Sequence, residues 1–139
     1  MCNQVVVLTI PTLGEESVDA YGVRVVEQWK IGKKGKDNGV LLLVVPKEKK
    51  IRIEVGYGLE GVIPDITANQ IIRNDIAPSF RKGNYYEGLD VACNSIILAA
   101  AGEYQAPEGY HEKEDGGNII GLIVLFIIIL IIVSNINRR

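Results

Sequence analysis

Two largely apolar runs of strand length, 4–10 and 39–45, set the strongest limit on how this chain can fold. Both are rich in valine and leucine, and a run without alternation is typical of a strand that is covered on both faces. Between them apolar residues recur at helical spacing, namely Val18, Tyr21, Val25 and Trp29. A strand, a helix and a second strand in this order predict a right-handed parallel unit of two central strands and one crossover helix.

The segment after the second run extends the predicted sheet. A charged turn at 47–50 leads into 51–55, where apolar and polar residues alternate strictly, as in an antiparallel strand near a sheet edge. Two helical patterns follow, one from Asp65 that ends before Pro78 and one from about Tyr85 to Gly102. Their apolar sides are Ile66, Ala68, Ile71 and Ile72 in the first, and Leu89, Ala92, Ile96 and Ala99 in the second. The sequence therefore predicts an α/β fold over 1–104, a three-layer α/β/α sandwich with a small mixed sheet.

The composition changes abruptly after this predicted domain. Residues 105–118 are too poor in apolar side chains to fold alone and are predicted to be a polar linker. Residues 119–133 contain no polar side chain, and 134–136 extend the stretch to the length of about 17 residues that a bilayer crossing requires. We therefore predict a single-pass transmembrane helix at 119–136 that contacts the lipid bilayer, followed by a basic tail at 137–139.

The charges that flank this apolar stretch predict its orientation. Arg138 and Arg139 follow it, whereas the residues before it include Glu112, Glu114 and Asp115. By the positive-inside tendency the C-terminus lies inside and the domain is extracytoplasmic. Such an orientation requires an export signal, which 1–10 do not contain, so we expect further sequence upstream of Met1. If the chain starts at Met1, insertion through the apolar tail would instead leave the domain cytoplasmic.

Several classes of function lack the residues that they need. The formal net charge of −2, without a basic stripe, gives no basis for nucleic-acid binding. Residues 56–61 match the G-x-G-x-x-G template, but 62–65 intervene before any helix and the acid at the right offset, Asp75, falls inside a helical pattern. The context of a dinucleotide site is therefore absent.

Nucleophilic catalysis by Cys93 or by a serine–histidine pair also lacks the residues that it needs. A thiol phosphatase needs an arginine six positions after its nucleophile, and the position six after Cys93 is Ala99. The single histidine, His111, falls in the predicted linker, away from any serine of the domain. Cys93 lies in an apolar helical pattern and is predicted to be a small buried side chain.

Four stretches carry a more specific pattern in a fixed order. They are 29–32 (Trp-Lys-Ile-Gly), 37–43 (Asp-Asn-Gly-Val-Leu-Leu-Leu), 56–61 with Asp65, and 76–86 (Ile-Ala-Pro-Ser-Phe-Arg-Lys-Gly-Asn-Tyr-Tyr). Over about 3–103 the chain resembles the TPM domain family. The resemblance implies an extracytoplasmic module tethered to a membrane, in a family where some members are associated with divalent metals and acid phosphatase activity and others with assembly or repair of membrane complexes. It also implies a signal peptide and an amphipathic helix before the first strand, so a first domain helix is expected to be missing here.

Asp37, Glu60 and Asp65 are the candidate metal ligands. Asp37 precedes the second strand, and the other two acids follow the antiparallel third strand, so all three are predicted to converge at one end of a hairpin. Convergent carboxylates repel unless a cation lies between them, and calcium or magnesium prefers such oxygen ligands. The resemblance points to the same acids. Gly56, Gly58 and Gly61 are expected to let backbone carbonyls approach a ligand, while Asn84 and Glu87 are further candidates. Each acid also has a structural interpretation, as turn residue, solvated side chain or helix cap.

Two functions remain open from the sequence. One is a membrane-anchored accessory or interaction module that binds a membrane-protein partner, with Tyr57, Tyr85 and Tyr86 as recognition side chains and a divalent cation that orders its loops. The alternative is a metal-dependent acid phosphatase of low activity, in which the ion polarises a phosphoryl oxygen and Arg73, Arg81 or Lys82 steadies the phosphate.

Overall fold

The computed structural model describes residues 2–107. Three strands, β1 (Gln4–Thr9), β2 (Gly39–Val45) and β3 (Lys50–Val55), form one mixed sheet in the order β1-β2-β3. β1 pairs parallel to β2 from Gln4 opposite Gly39 onward, and β3 pairs antiparallel to β2 from Val45 opposite Lys50 onward. The predicted α/β fold with a small mixed sheet is confirmed.

Helix α1 (Val18–Trp29) makes the crossover between the two parallel strands. It begins at Ser17, whose hydroxyl accepts a hydrogen bond from the backbone N–H of Ala20 at 3.2 Å, and it ends at Lys30 in the left-handed conformation. Such a cap satisfies one of the N–H groups that a helix start leaves without an intrahelical partner. Val25 is buried as the spacing predicted, whereas Trp29 is 55% exposed and lies outside the core.

The two apolar runs occupy different places in the sheet. All seven residues of β2 are buried, since it is the central strand and both of its faces are covered. β1 was predicted to be equally central, and among the described residues it is an edge strand with Val7 40% exposed. The difference arises because β1 has a hydrogen-bonded neighbour on one side only. β3 lies at the other edge, as its alternation predicted.

The alternate residues of β2 point into two separate apolar clusters, because successive side chains of a strand face opposite sides of the sheet. Leu41, Leu43 and Val45 pack with Val25 of α1 and Leu13. The other face packs against the later helices, with a core that comprises Val40, Leu42, Val44, Ile53, Leu59, Ile63, Ala68, Ile71, Ile76, Ala92, Ile96 and Ala99. Helices thus cover both faces of β2.

The helical segment after β3 runs further than predicted. Helix α2 (Asp65–Gln70) continues through a π-helical turn (Ile71–Ile76) into α3 (Ala77–Arg81), so helical geometry does not end before Pro78. Ala77 N–H donates to Ile72 O, five residues earlier. The wider turn directly before Pro78 accommodates a residue that lacks an N–H and would clash with the carbonyl four positions back in an α-helix.

Helix α4 (Tyr85–Ala100) closes the domain over the π-helical turn. Ala92, Ile96 and Ala99 are buried in the predicted pattern. Ser95 Oγ donates to Asp75 Oδ2 at 2.7 Å, which ties α4 to the π-helical turn. Burial raises the pKa of the Tyr104 hydroxyl, and the nearby negative charge of Asp75 adds to the shift. Tyr104 therefore packs against the core in its neutral form.

The predicted membrane segment lies outside the described residues. Within 2–107, no helix has both the length and the apolar character that a bilayer crossing demands. The predicted transmembrane helix at 119–136, the basic tail and most of the predicted linker fall in 108–139 and stay predictions.

Candidate functional site

Two loops meet at the end of the sheet where β2 begins and β3 ends. Gly58 N–H donates to Asp37 O at 3.0 Å and Gly56 N–H donates to Gly39 O at 2.7 Å. A Cβ on Gly58 would overlap Lys36 O, and one on Gly56 would overlap Asp37 O. The backbone of the loop before β2 therefore lies directly on the glycine loop, and only glycine permits this distance.

These contacts give two of the three predicted loop glycines a definite role. We expected the glycines to let carbonyls approach a ligand, and at Gly56 and Gly58 the carbonyls that approach belong to the protein itself. At Gly61 an added Cβ would have no atom within 4 Å, so a side chain would fit there without a clash. Asp37 adopts a left-handed conformation with φ of 46°, a geometry that aspartate tolerates better than most residues.

Glu60 and Asp65 line one cleft of about 400 Å³ beside the outer edge of β3. Glu60 follows a short 3-10 turn (Tyr57–Leu59), and Asp65 is the first residue of α2. Pro64 rather than Asp65 is the N-cap, so the interpretation of Asp65 as a capping side chain does not describe its position. A carboxylate in the first helical turn is still favoured by the helix dipole.

Two further charged residues of the cleft were not predicted as site residues. Arg52 and Glu54 lie on β3 and line the same cleft, and Arg52 Nε is 3.1 Å from Glu54 Oε2 and 3.3 Å from Asp19 Oδ1 of α1. The strict alternation of 51–55 places both side chains on one face of the strand. The two-residue alternation could have identified Arg52 and Glu54 as site residues, because Glu60 and Asp65 come directly after the same strand.

The cleft therefore combines paired and unpaired carboxylates. Arg52 neutralises part of the charge of Glu54, whereas Glu60 and Asp65 are exposed and make no ion pair with any residue of 2–107. Asp37 is also exposed and does not line the cleft, although its backbone contacts the loop that carries Glu60. In the part of the chain that the structure describes, no group of three or more His, Cys, Asp or Glu side chains is arranged to hold a metal ion.

The other predicted site residues lie elsewhere. Asn84 Nδ2 donates to Glu87 Oε2 at 3.1 Å at the start of α4. Their neighbours Gly83 and Tyr85 line a second groove with Val45, Pro46 and Lys50, where β2 ends and β3 begins. The pair at one end of this hairpin, Val40 and Val55, lies five residue steps from the pair at the other end, Val45 and Lys50, a distance of about 16 Å along the strands. The structure brings Glu60 and Asp65 together and places Asn84 and Glu87 near the opposite end.

Fold and cleft together define a small α/β domain whose glycine loop packs on a neighbouring loop of the same chain. The family model described as TPM domain matches residues 2–99, and the chain belongs to this family, as the resemblance of its motifs predicted.

Solved structures with this fold agree with the assignment. The solution NMR structure of the N-terminal domain of a protein from P. gingivalis is similar with 32% identity and a TM-score of 0.66, over 78% of this chain and 69% of that one. The NMR structure of the BA42 protein from the psychrophilic bacterium Bizionia argentinensis has 24% identity and a TM-score of 0.59, over 76% and 70% of the two chains, and carries information on the fold alone. The comparison with curated proteins gives no match.

Proposed function

We propose that this TPM-domain chain is a membrane-anchored accessory module that binds a membrane-protein partner and whose recognition loop is ordered by a divalent cation. The observation that carries the proposal is the recognition loop itself, 56–65. It carries Tyr57, 80% exposed, near its start and ends with Asp65 in the cleft. An exposed aromatic side chain beside a polar cleft is typical of a protein-recognition surface.

The proposed cation site comprises Glu60 and Asp65 in the cleft, with Asp37 as the third acid. Two carboxylates in one cleft suit a hard ion that keeps several of its waters, as magnesium does and as weak calcium sites do. The hydrogen bond from Gly58 N–H to Asp37 O holds the third acid beside the loop. Arg52 lies in the same cleft and opposes a cation electrostatically, so the site we propose is weak.

The test is a calcium titration of the thermal unfolding of the full chain in a non-ionic detergent. A site with a dissociation constant of about 0.1 to 1 mM would stabilise the folded state by about 1.4 to 2.7 kcal/mol at 10 mM calcium, which raises the melting temperature by roughly 5 °C or more. Asp65→Asn, which removes the charge and keeps the size of the side chain, is expected to abolish most of this shift.

Glu87→Gln is the matched control, because Glu87 is also an acid in the first turn of a helix and belongs to the other end of the hairpin. Its calcium response is expected to equal that of the wild type. Equal responses in the wild type and Asp65→Asn would contradict the proposed site. A response lost in Glu87→Gln and kept in Asp65→Asn would move the ligands to α4.

The anchor proposed for the module is the apolar stretch 119–136, with the domain extracytoplasmic and the C-terminus inside. The full chain is expected to stay in the membrane pellet after alkaline carbonate extraction, whereas a chain that ends at residue 107 is expected in the supernatant. Protease added outside intact cells should cleave the domain. A full chain released by carbonate would refute the anchor, and a domain protected from protease would reverse the orientation.

The metal-dependent acid phosphatase is the alternative proposal, and it needs a cation close to the proposed ion to hold phosphate. Of the three candidate cations, Arg81 lines the groove where β2 ends and Lys82 follows it, whereas Arg73 lies in the π-helical turn. None of the three lines the cleft of Glu60 and Asp65. Arg52 is the cation in the cleft and is already paired with Glu54. This arrangement favours the interaction module over the phosphatase.

A further inference from the structure

The groove at the far end of the hairpin is the larger of the two recesses described here, with a volume of about 530 Å³. It lies between the turn that joins β2 to β3 and the junction of α3 with α4. Its apolar lining includes Val45, Ile51, Ala77 and Phe80. The Phe80 and Tyr85 rings meet edge to face, with centroids 5.1 Å apart and an interplanar angle of 61°. The volume suits a small organic molecule.

The charged side chains of this groove are all cationic, namely Lys49, Lys50 and Arg81. Lys50 Nζ is 3.8 Å from Glu48 Oε2, but Glu48 is engaged elsewhere, since its Oε1 accepts hydrogen bonds from Thr12 Oγ1 at 2.7 Å and from Leu13 N–H at 2.8 Å. Lys49 and Arg81 form no ion pair within 2–107. The groove therefore combines an apolar lining with an excess of positive charge.

The start of α4 adds to this field. Asn84 occupies the N-cap position, but its side-chain oxygen accepts no capping hydrogen bond, and its amide nitrogen donates to Glu87. The first N–H groups of a helix lack intrahelical partners and carry the positive end of the helix dipole. Gly83 and Tyr85, on either side of Asn84, both line the groove.

We propose that this groove binds an organic oxyanion, a phosphate or carboxylate carried on an aromatic or branched aliphatic body. The anionic group lies among Lys49, Lys50 and Arg81, where charge-assisted hydrogen bonds hold it. The body packs on Phe80 and Ile51, which are shielded from water when it binds. The acidic cleft repels such a ligand, so the two sites take ligands of opposite charge at opposite ends of one hairpin.

The proposal is tested with benzylphosphonate, which carries both parts of the proposed ligand and resists hydrolysis. Full chain labelled with ¹⁵N in non-ionic detergent is titrated and followed by amide chemical shifts. The expected result is saturable shifts at Ile51, Gly83 and Tyr85. Inorganic phosphate and benzyl alcohol, each with one half of the chemistry, are expected to bind at least about fivefold more weakly. If either binds as tightly as benzylphosphonate, or if the three amides do not shift, the proposal is wrong.

Arg81→Gln and Lys49→Gln are each expected to weaken benzylphosphonate binding about fivefold, since each removes one cation from an exposed groove. Lys34→Gln is the matched control, because Lys34 is an exposed lysine in the loop before β2 and does not line the groove. It is expected to bind as the wild type does. Equal affinity in wild type, Arg81→Gln and Lys49→Gln would overturn the assignment, as would an equal loss in Lys34→Gln.

Discussion

Gly58→Ala is expected to lower the free energy of unfolding by about 2 to 4 kcal/mol. The added Cβ would overlap Lys36 O and come within 3.2 Å of Asp37 O, both of them backbone atoms that cannot rotate away. The loop before β2 would have to move, and the hydrogen bond from Gly58 N–H to Asp37 O would be lost with it. Denaturant unfolding followed by circular dichroism measures the change.

Gly61→Ala provides the matched control in the same loop. An added Cβ there meets no atom within 4 Å, so the substitution is expected to be neutral or to stabilise the fold by up to about 1 kcal/mol through the unfolded chain. If both alanine variants lost stability to the same extent, the cause would be loop flexibility rather than the close contact at Gly58.

Leu42→Ala is expected to cost about 2 to 5 kcal/mol, since Leu42 is fully buried in the centre of β2 and the cavity left behind cannot collapse against a rigid sheet. Val7→Ala, in the edge strand and 40% exposed, is expected to cost less than about 1 kcal/mol. The same unfolding experiment compares them. A large loss for Val7→Ala would indicate that this position is covered by chain or partner beyond 2–107.

The contrast between Leu42 and Val7 also indicates what the sequence alone could not predict, namely which strand is central in the sheet. Apolar runs at 4–10 and 39–45 look alike, and both predict strands correctly, but a run records only that a side chain is apolar. Whether the strand is central depends on neighbours that other segments supply. The alternation of 51–55 carried more information, because a polar residue at every second position is compatible with an edge strand and not with a doubly covered one. β3 was therefore placed correctly and β1 was not.

The helical region gives a second example. Pro78 predicted a helix end because the residue before proline disfavours helical geometry. The π-helical turn at Ile71–Ile76 lets the helical segment continue through Pro78, and nothing in the local sequence pattern predicts a turn of that kind. For the cleft, the antiparallel hairpin correctly brought the loop of Asp37 beside the loop that carries Glu60. Asn84 and Glu87 were candidates only because their motif resembles the family, and the resemblance did not place them in the fold. The structure places them near the groove and not in the cleft.

The way in which β2 acquires its two neighbours has a consequence for the order in which the sheet forms. Val45 and Lys50 pair across only five positions, whereas Gln4 and Gly39 are 35 positions apart. Closing the longer loop costs about 1.7 kcal/mol more in chain entropy, and contacts between residues close in sequence form sooner. We therefore expect the hairpin of β2 and β3 to form first and β1 to dock last, onto a hairpin that is already folded.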